Sequence, residues 1–128
     1  MRPSTPVREL MSKLPAETDR RERLSDVIQK MREHDCHHIP ILDGARIFGI
    51  LSSQDMHELA LRLGENTEDL LAGDVCTRDP LTVEPMTPVK DVAQSMLDRG
   101  CGSALVTEGD LLIGIFTSTD AMRVIADA

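Results

Sequence analysis

Apolar positions along this chain alternate between two spacings, and each spacing predicts an element. Leu24, Val27, Ile28 and Met31 share one face of a helix over Arg23–Asp35. His37–Leu42 reads as a buried strand, Asp43-Gly44 as a hairpin turn in which the glycine takes positive φ, and Ala45–Leu51 as the returning strand. Ser52 or Ser53 caps a second helix with Met56, Leu59, Ala60 and Leu63 as its buried stripe, and Gly64 stops it. The plan then returns. Leu81–Glu84 is a strand, and Thr87 caps a helix with Pro88 at its first position. That helix turns Val89, Val92, Ala93, Met96 and Leu97 inward and ends at Gly100. Gly102–Thr107 and Leu111–Phe116 form a hairpin turning at Glu108-Gly109-Asp110, and a closing helix carries Met122, Val124 and Ile125. Ahead of all this, Val7–Lys13 is a short helical or turn segment. The short, polar Ala16–Asp19 is a strand by analogy with Leu81–Glu84. Asn66–Gly73 is a linker in which Thr67 caps one or two helical turns.

The recurrence is a tandem repeat. An offset of 65 residues lays Glu9–Leu63 on Asp74–Ala128 without a gap, pairing GILSSQD (Gly49–Asp55) with GIFTSTD (Gly114–Asp120). Pro15/Pro80, Asp26/Asp91, Gln29/Gln94, Met31/Met96, Cys36/Cys101 and Gly44/Gly109 also coincide. Each repeat reads strand–helix–strand–strand–helix, so the fold class is α+β, with two small sheets back to back and pseudo-twofold symmetry. One module spans 1–128: repeat one about 7–64, a linker at 65–73, and repeat two about 74–128. Half a chain of this length buries too little surface to be stable alone, so the repeats are expected to share one core.

Charge and composition narrow the function. A net charge of −8, no Trp or Tyr and only two Phe argue against a nucleic-acid binder, which needs Lys and Arg to displace counterions and rings on which bases stack. No run has the length of a membrane span, and the polar N-terminus lacks a signal-peptide apolar stretch. The expectation is a cytoplasmic protein, with no membrane partner and with Cys36, Cys76 and Cys101 reduced.

The paired G-apolar-apolar-Ser/Thr-x-x-Asp signature at Gly49–Asp55 and Gly114–Asp120, with HHIPILDGARIFGIL before the first copy, resembles the cystathionine-beta-synthase (CBS) domain pair, or Bateman module. RELM and GDVCT resemble the family's lead-ins, Cys76 replacing the usual Met. The resemblance covers nearly the whole chain. It implies a regulatory module that binds AMP, ADP, ATP or a related adenosyl ligand in clefts between the repeats, requires no cofactor, and pairs through its helices into a homodimer acting on an unknown effector protein. Carried over residue by residue, one cleft joins Thr117, Thr119 and Asp120 to Ala16, Cys36, His37, His38 and Ile39. The other joins Ser52 and Asp55 to Leu81, Cys101, Gly102, Ser103 and Ala104.

These residues suit that chemistry. A carboxylate offers two acceptor oxygens to the two hydroxyls of a ribose, and a helix N-terminus presents free N–H groups to phosphate. The entry strand's backbone can read an adenine edge. Ser52-x-x-Asp55 and Thr117-x-x-Asp120 are equally the pattern of capping boxes, in which the acid returns to the cap's own N–H. His37 and His38 sit where some family members place phosphate-contacting groups, whereas Gly102 and Ser103 replace them in repeat two, so the clefts are expected to be unequal, the His-containing one preferring more phosphate.

Other constellations read more plainly. His37 and His38 point to opposite faces of a strand, and no second cluster completes a zinc site, so no metal is expected. Cys36 and Cys101 read as small packing residues, Arg20, Arg21 and Arg23 as a solvated face, and Met31, Met56, Met96 and Met122 as core or dimer surface. No nucleophile with a paired base and no Walker loop is present, so catalysis is not expected. The alternative to a nucleotide sensor is a ligand-free structural or dimerisation module that regulates a partner.

Overall fold

A computed structural model describes residues 2–13, 17–67 and 69–127. They group into two compact units, Pro15–Asp79 and Met1–Leu14 with Pro80–Ala128. Each unit takes its body from one repeat and its lead-in from ahead of the other.

In the unit Pro15–Asp79, β1 (Thr18–Asp19), β2 (His38–Asp43), β3 (Arg46–Ser52) and β4 (Thr77–Arg78) form one sheet in that order. β1 runs parallel to β2, and β2–β3 is an antiparallel hairpin turning at Gly44, whose φ of 62° is the positive value foreseen for it. Helices α1 (Leu24–Glu33) and α2 (Ser53–Leu63) and the short α3 (Ala72–Val75) complete it. Leu24, Val27 and Met31 meet Ile39, Ile41, Leu51, Leu59 and Ala72 in a core. The 3.6-residue spacing of α1 thus finds its buried face, but α2 is less buried than its sequence suggests. Leu59 is buried, whereas Ala60 and Leu63 are exposed, the latter by 47%. Thr67 ends a 3-10 turn over Gly64–Thr67, and α3 begins after Leu71 without a side-chain cap.

In the other unit, β5 (Thr82–Val83) runs parallel to β6 (Ser103–Glu108), which pairs antiparallel with β7 (Leu111–Thr117). Helices α4 (Val89–Arg99) and α5 (Ser118–Ala126) and a 3-10 turn at Val7–Glu9 accompany this sheet. Pro88, not Thr87, occupies the N-cap of α4, and no side chain caps that helix. The lead-in supplies what a cap would: Val89 N–H donates to Thr5 O at 2.8 Å and Lys90 N–H to Pro3 O at 3.1 Å. Gly100 closes α4 in the left-handed conformation. Val7, Val89, Val92, Met96, Ala104, Val106 and Phe116 form a second core, while Leu97, expected inside, is 75% exposed. Each unit thus has a cluster of buried apolar side chains of its own. Borrowed lead-in residues, Val7 in one and Ala72 in the other, help each half build its own.

Gly49 and Gly114 make that borrowing possible. A Cβ at Gly49 would lie 2.5 Å from Thr77 O and 2.6 Å from Cys76 Sγ, and one at Gly114 would strike Met11 Sδ. The signature glycines are thus seats over which the lead-in chain crosses, Cys76 taking the place that Met11 fills in the other unit.

Candidate functional site

Both signatures end a strand and start a helix, and both build a complete capping box. Asp55 N–H donates to Ser52 Oγ at 3.0 Å and Ser52 N–H to Asp55 Oδ2 at 3.1 Å. Asp120 N–H donates to Thr117 Oγ1 at 3.3 Å and Thr117 N–H to Asp120 Oδ2 at 2.9 Å. The capping reading therefore describes the protein as it stands. An ionised carboxylate has about four lone-pair positions, so a cap alone does not exhaust it.

The two boxes differ beyond the cap. Asp120 is only 6% exposed, and its Oδ1 accepts Ser12 Oγ–H at 2.8 Å, with Arg123 Nη1 at 3.6 Å. Thr117 Oγ1 lies a further 3.2 Å from Oδ2. Asp55 is half-buried, and among the described residues no donor reaches its Oδ1. Sequence reasoning missed Ser12. Its signal was the offset that pairs it with Thr77, immediately after the Met11/Cys76 lead-in position.

Each unit lays its entry strand against its own helix entry. His38 pairs with Ser52 in the β2–β3 register and Ser103 with Thr117 in the β6–β7 register. Ser53 N–H donates to His37 O at 2.8 Å and Ser118 N–H to Gly102 O at 3.0 Å. Ile39 and Ala104 point into the cores, and Ser103 is buried, so a ligand would reach Ile39 and Ala104 by their backbone. Cys36 and Cys101 are half-buried against the same cores, as packing residues are, and Cys101 Sγ lies 3.4 Å from Ser103 O. Leu81 packs on the second core, and its carbonyl accepts Leu105 N–H at 2.8 Å. Thr119 is exposed in the first turn of α5. Ala16 lies outside the described residues.

His37 is exposed, with Nδ1 3.2 Å from Ser53 Oγ, and His38 is half-buried. Cys36 and His37 border a cavity of about 360 Å³ with Met31, Ser53, Met56 and His57, between α1 and α2. Asp55 does not line it. Among the described residues no three His, Cys, Asp or Glu side chains gather into a group that could hold a metal ion. Burial raises the Cys36 thiol above its ordinary value, and Asp35 adds to the rise. Burial likewise raises Cys76, partly offset by Arg78.

Arg21 and Arg23 are exposed and Arg20 is half-buried, and two of the three pair with surface acids. Arg20 pairs with Asp43 at 3.3 Å, and Arg21 bridges Asp19 and Asp43, both at 3.2 Å. The Arg21 N–H, its strongest influence, lowers Asp19 below the usual carboxylate value. Arg78 stacks 3.6 Å from the Phe48 ring centroid, and its Nε donates to Phe48 O at 2.8 Å.

Comparison with known proteins matches the CBS domain family twice, over residues 7–62 and 72–127. The uncharacterized protein MK0525 of Methanopyrus kandleri is 28% identical over 105 residues, which cover 80% of this chain and 54% of that one. The chain spans about half or less of the length of the first curated relatives it matches. Among solved structures, the CBS domain pair of protein MJ0100, in complex with 5′-methylthioadenosine and S-adenosyl-L-methionine, superposes with a TM-score of 0.85 at 26% identity, covering 98% of each chain. CBSX2 in complex with AMP superposes with a TM-score of 0.80 at 23% identity, over 96% of this chain and 97% of that one, a likeness of fold alone. This chain belongs to the CBS domain family and carries the domain as a tandem pair.

Proposed function

We propose that the chain is a regulatory, non-catalytic module that binds an adenosyl ligand, taking the ribose diol on a helix-entry carboxylate and the adenine against an entry-strand backbone. The observation that carries this reading is Asp55 Oδ1, a half-buried acceptor in the first turn of α2 that no donor reaches among the described residues. The complexes of the MJ0100 pair support the ligand class. Proposed contacts are Ser52 and Asp55, Thr117, Thr119 and Asp120, the strand entries Cys36–Ile39 and Cys101–Ala104, and Ala16 and Leu81. AMP, ADP, ATP and S-adenosylmethionine are the candidate ligands.

Occupancy passes to a partner only if the ligand binds one conformation better than another. The exposed apolar side chains on α4 and α5, Leu97 at 75%, Met122 at 66% and Ile125 at 68%, suit a protein surface, which we assign to a homodimer. Among the described residues no helix is long and apolar enough to cross a membrane, and we place the module in the cytoplasm. A ligand-free interaction module is the second reading, favoured by the two satisfied capping boxes.

Thermal unfolding with AMP, ADP, ATP, NAD and S-adenosylmethionine separates the two, because a ligand bound only by the native state raises Tm by mass action. A ligand at about 100 times its Kd stabilises by about 2.7 kcal/mol. A Tm unmoved by all five leaves the interaction module.

A further inference from the structure

Building on the adenosyl-binding reading, we infer that the two helix-entry carboxylates are unequal: Asp55 takes a ribose, Ser12 holds Asp120 closed, and the chain binds one adenosyl ligand rather than two.

The inference rests on how each carboxylate's lone pairs are used. Asp120 Oδ2 faces two donors, the Thr117 N–H at 2.9 Å and the Thr117 hydroxyl at 3.2 Å. Its Oδ1 accepts the Ser12 hydroxyl at 2.8 Å and has the Arg123 guanidinium at 3.6 Å. Three of about four acceptor positions are thus taken by hydrogen bonds, too few remain for a diol, and at 6% exposure the group is shielded as well. Asp55 receives the Ser52 N–H and, among the described residues, nothing else.

The residues responsible occupy equivalent positions in the repeats and differ in kind. The offset that lays Asp55 on Asp120 lays Thr77 on Ser12 and Glu58 on Arg123. Thr77 is exposed and makes no hydrogen bond to Asp55. Glu58, where the other repeat has a cation, takes the Gln54 amide at 3.5 Å. Asp120 thus has a hydroxyl donor and a cation where Asp55 has neither.

Ser12 is also held in position. Its N–H donates to Ile115 O at 2.8 Å and its carbonyl accepts Ile115 N–H at 3.0 Å. That two-way bridge fixes its backbone beside α5, so its hydroxyl reaches Asp120 at little conformational cost. A ligand at Asp120 must first displace a short charge-assisted bond; a ligand at Asp55 displaces only solvent.

Isothermal titration of the full chain with AMP, repeated with S-adenosylmethionine, tests this in four proteins. The native chain is expected to bind one ligand. Asp55→Asn, which keeps an amide oxygen for the Ser52 cap, is expected to lose it. Ser12→Ala is expected to bind two, and Ser12→Ala with Asp55→Asn to bind one. Two ligands on the native chain, a stoichiometry unchanged by Ser12→Ala, or ligand retained by Asp55→Asn overturns the inference while leaving the adenosyl reading intact. Failure of both the native chain and Ser12→Ala to bind either compound overturns the adenosyl reading and this inference with it.

Discussion

Ser12 Oγ donates to Asp120 Oδ1 at 2.8 Å across 108 positions of chain, whereas Thr77, the equivalent of Ser12, leaves the equivalent Asp55 alone. A lead-in that serves one unit as a passing strand serves the other as a hydrogen-bond donor to a buried acid. A hydrogen bond to a charged group contributes about 1.5–3 kcal/mol, and Arg123 remains to shield the carboxylate when the hydroxyl is gone. Ser12→Ala is therefore expected to lower the unfolding free energy by about 1–2 kcal/mol, and Thr77→Ala to stay within about 0.5 kcal/mol. Urea denaturation of the two variants measures the difference; equal effects would contradict it.

Thr18 is fully buried in β1, and among the described residues its Oγ1 has no partner. The second repeat places Val83 there, a residue of the same shape without the hydroxyl. A buried, unsatisfied hydroxyl costs free energy that an isosteric methyl does not. Thr18→Val is expected to raise stability by about 1 kcal/mol, read as a higher urea midpoint with unchanged slope. A lower midpoint would mean the hydroxyl is satisfied.

Gly49→Ala and Gly114→Ala both overpack a crossing, but unequally. At Gly49 the added methyl meets the Thr77 carbonyl, which is backbone in a paired strand; at Gly114 its nearest neighbour is the flexible Met11 thioether. Overpacking typically costs about 1–3 kcal/mol. Gly49→Ala is expected near the top of that range and Gly114→Ala near the bottom, compared by thermal unfolding.

Burial raises the Cys36 and Cys76 thiols, so each keeps its proton at a pH where an exposed cysteine has lost it. The folded state is then the weaker acid. Its advantage is whole below the ordinary thiol range and is lost as pH rises through that range. Iodoacetamide should label both more slowly than free cysteine at about pH 8, and the urea midpoint should fall as pH rises beyond that. Labelling at the rate of free cysteine would contradict the burial.

Much of this was legible in the chain. The α1 stripe, the two hairpins turning at Gly44 and Gly109, and Ser52 and Thr117 as caps all follow from local spacing and turn chemistry, and the structure has them. What sequence could not carry was non-local. Leu97 has the spacing of a core residue yet is exposed, because periodicity defines an apolar face without saying what covers it. Thr87 and Thr67 are good caps by type, but the lead-in backbone and a 3-10 turn took their places. Sequence assigned the expected inequality of the clefts to His37 and His38; the Ser12 hydrogen bond to Asp120 lies in a segment remote in sequence from the acid it holds.

The central claim is that an Asp55 oxygen reads a ribose diol, and the most direct measurement compares AMP with 2′,3′-dideoxy-AMP on the native chain and on Asp55→Asn. Losing hydrogen bonds to a charged acceptor should weaken the dideoxy compound by roughly 10- to 100-fold on the native chain. On Asp55→Asn neither compound should bind, so no gap should remain. Equal affinity of the two compounds for the native chain, or a gap that survives the substitution, would contradict the account.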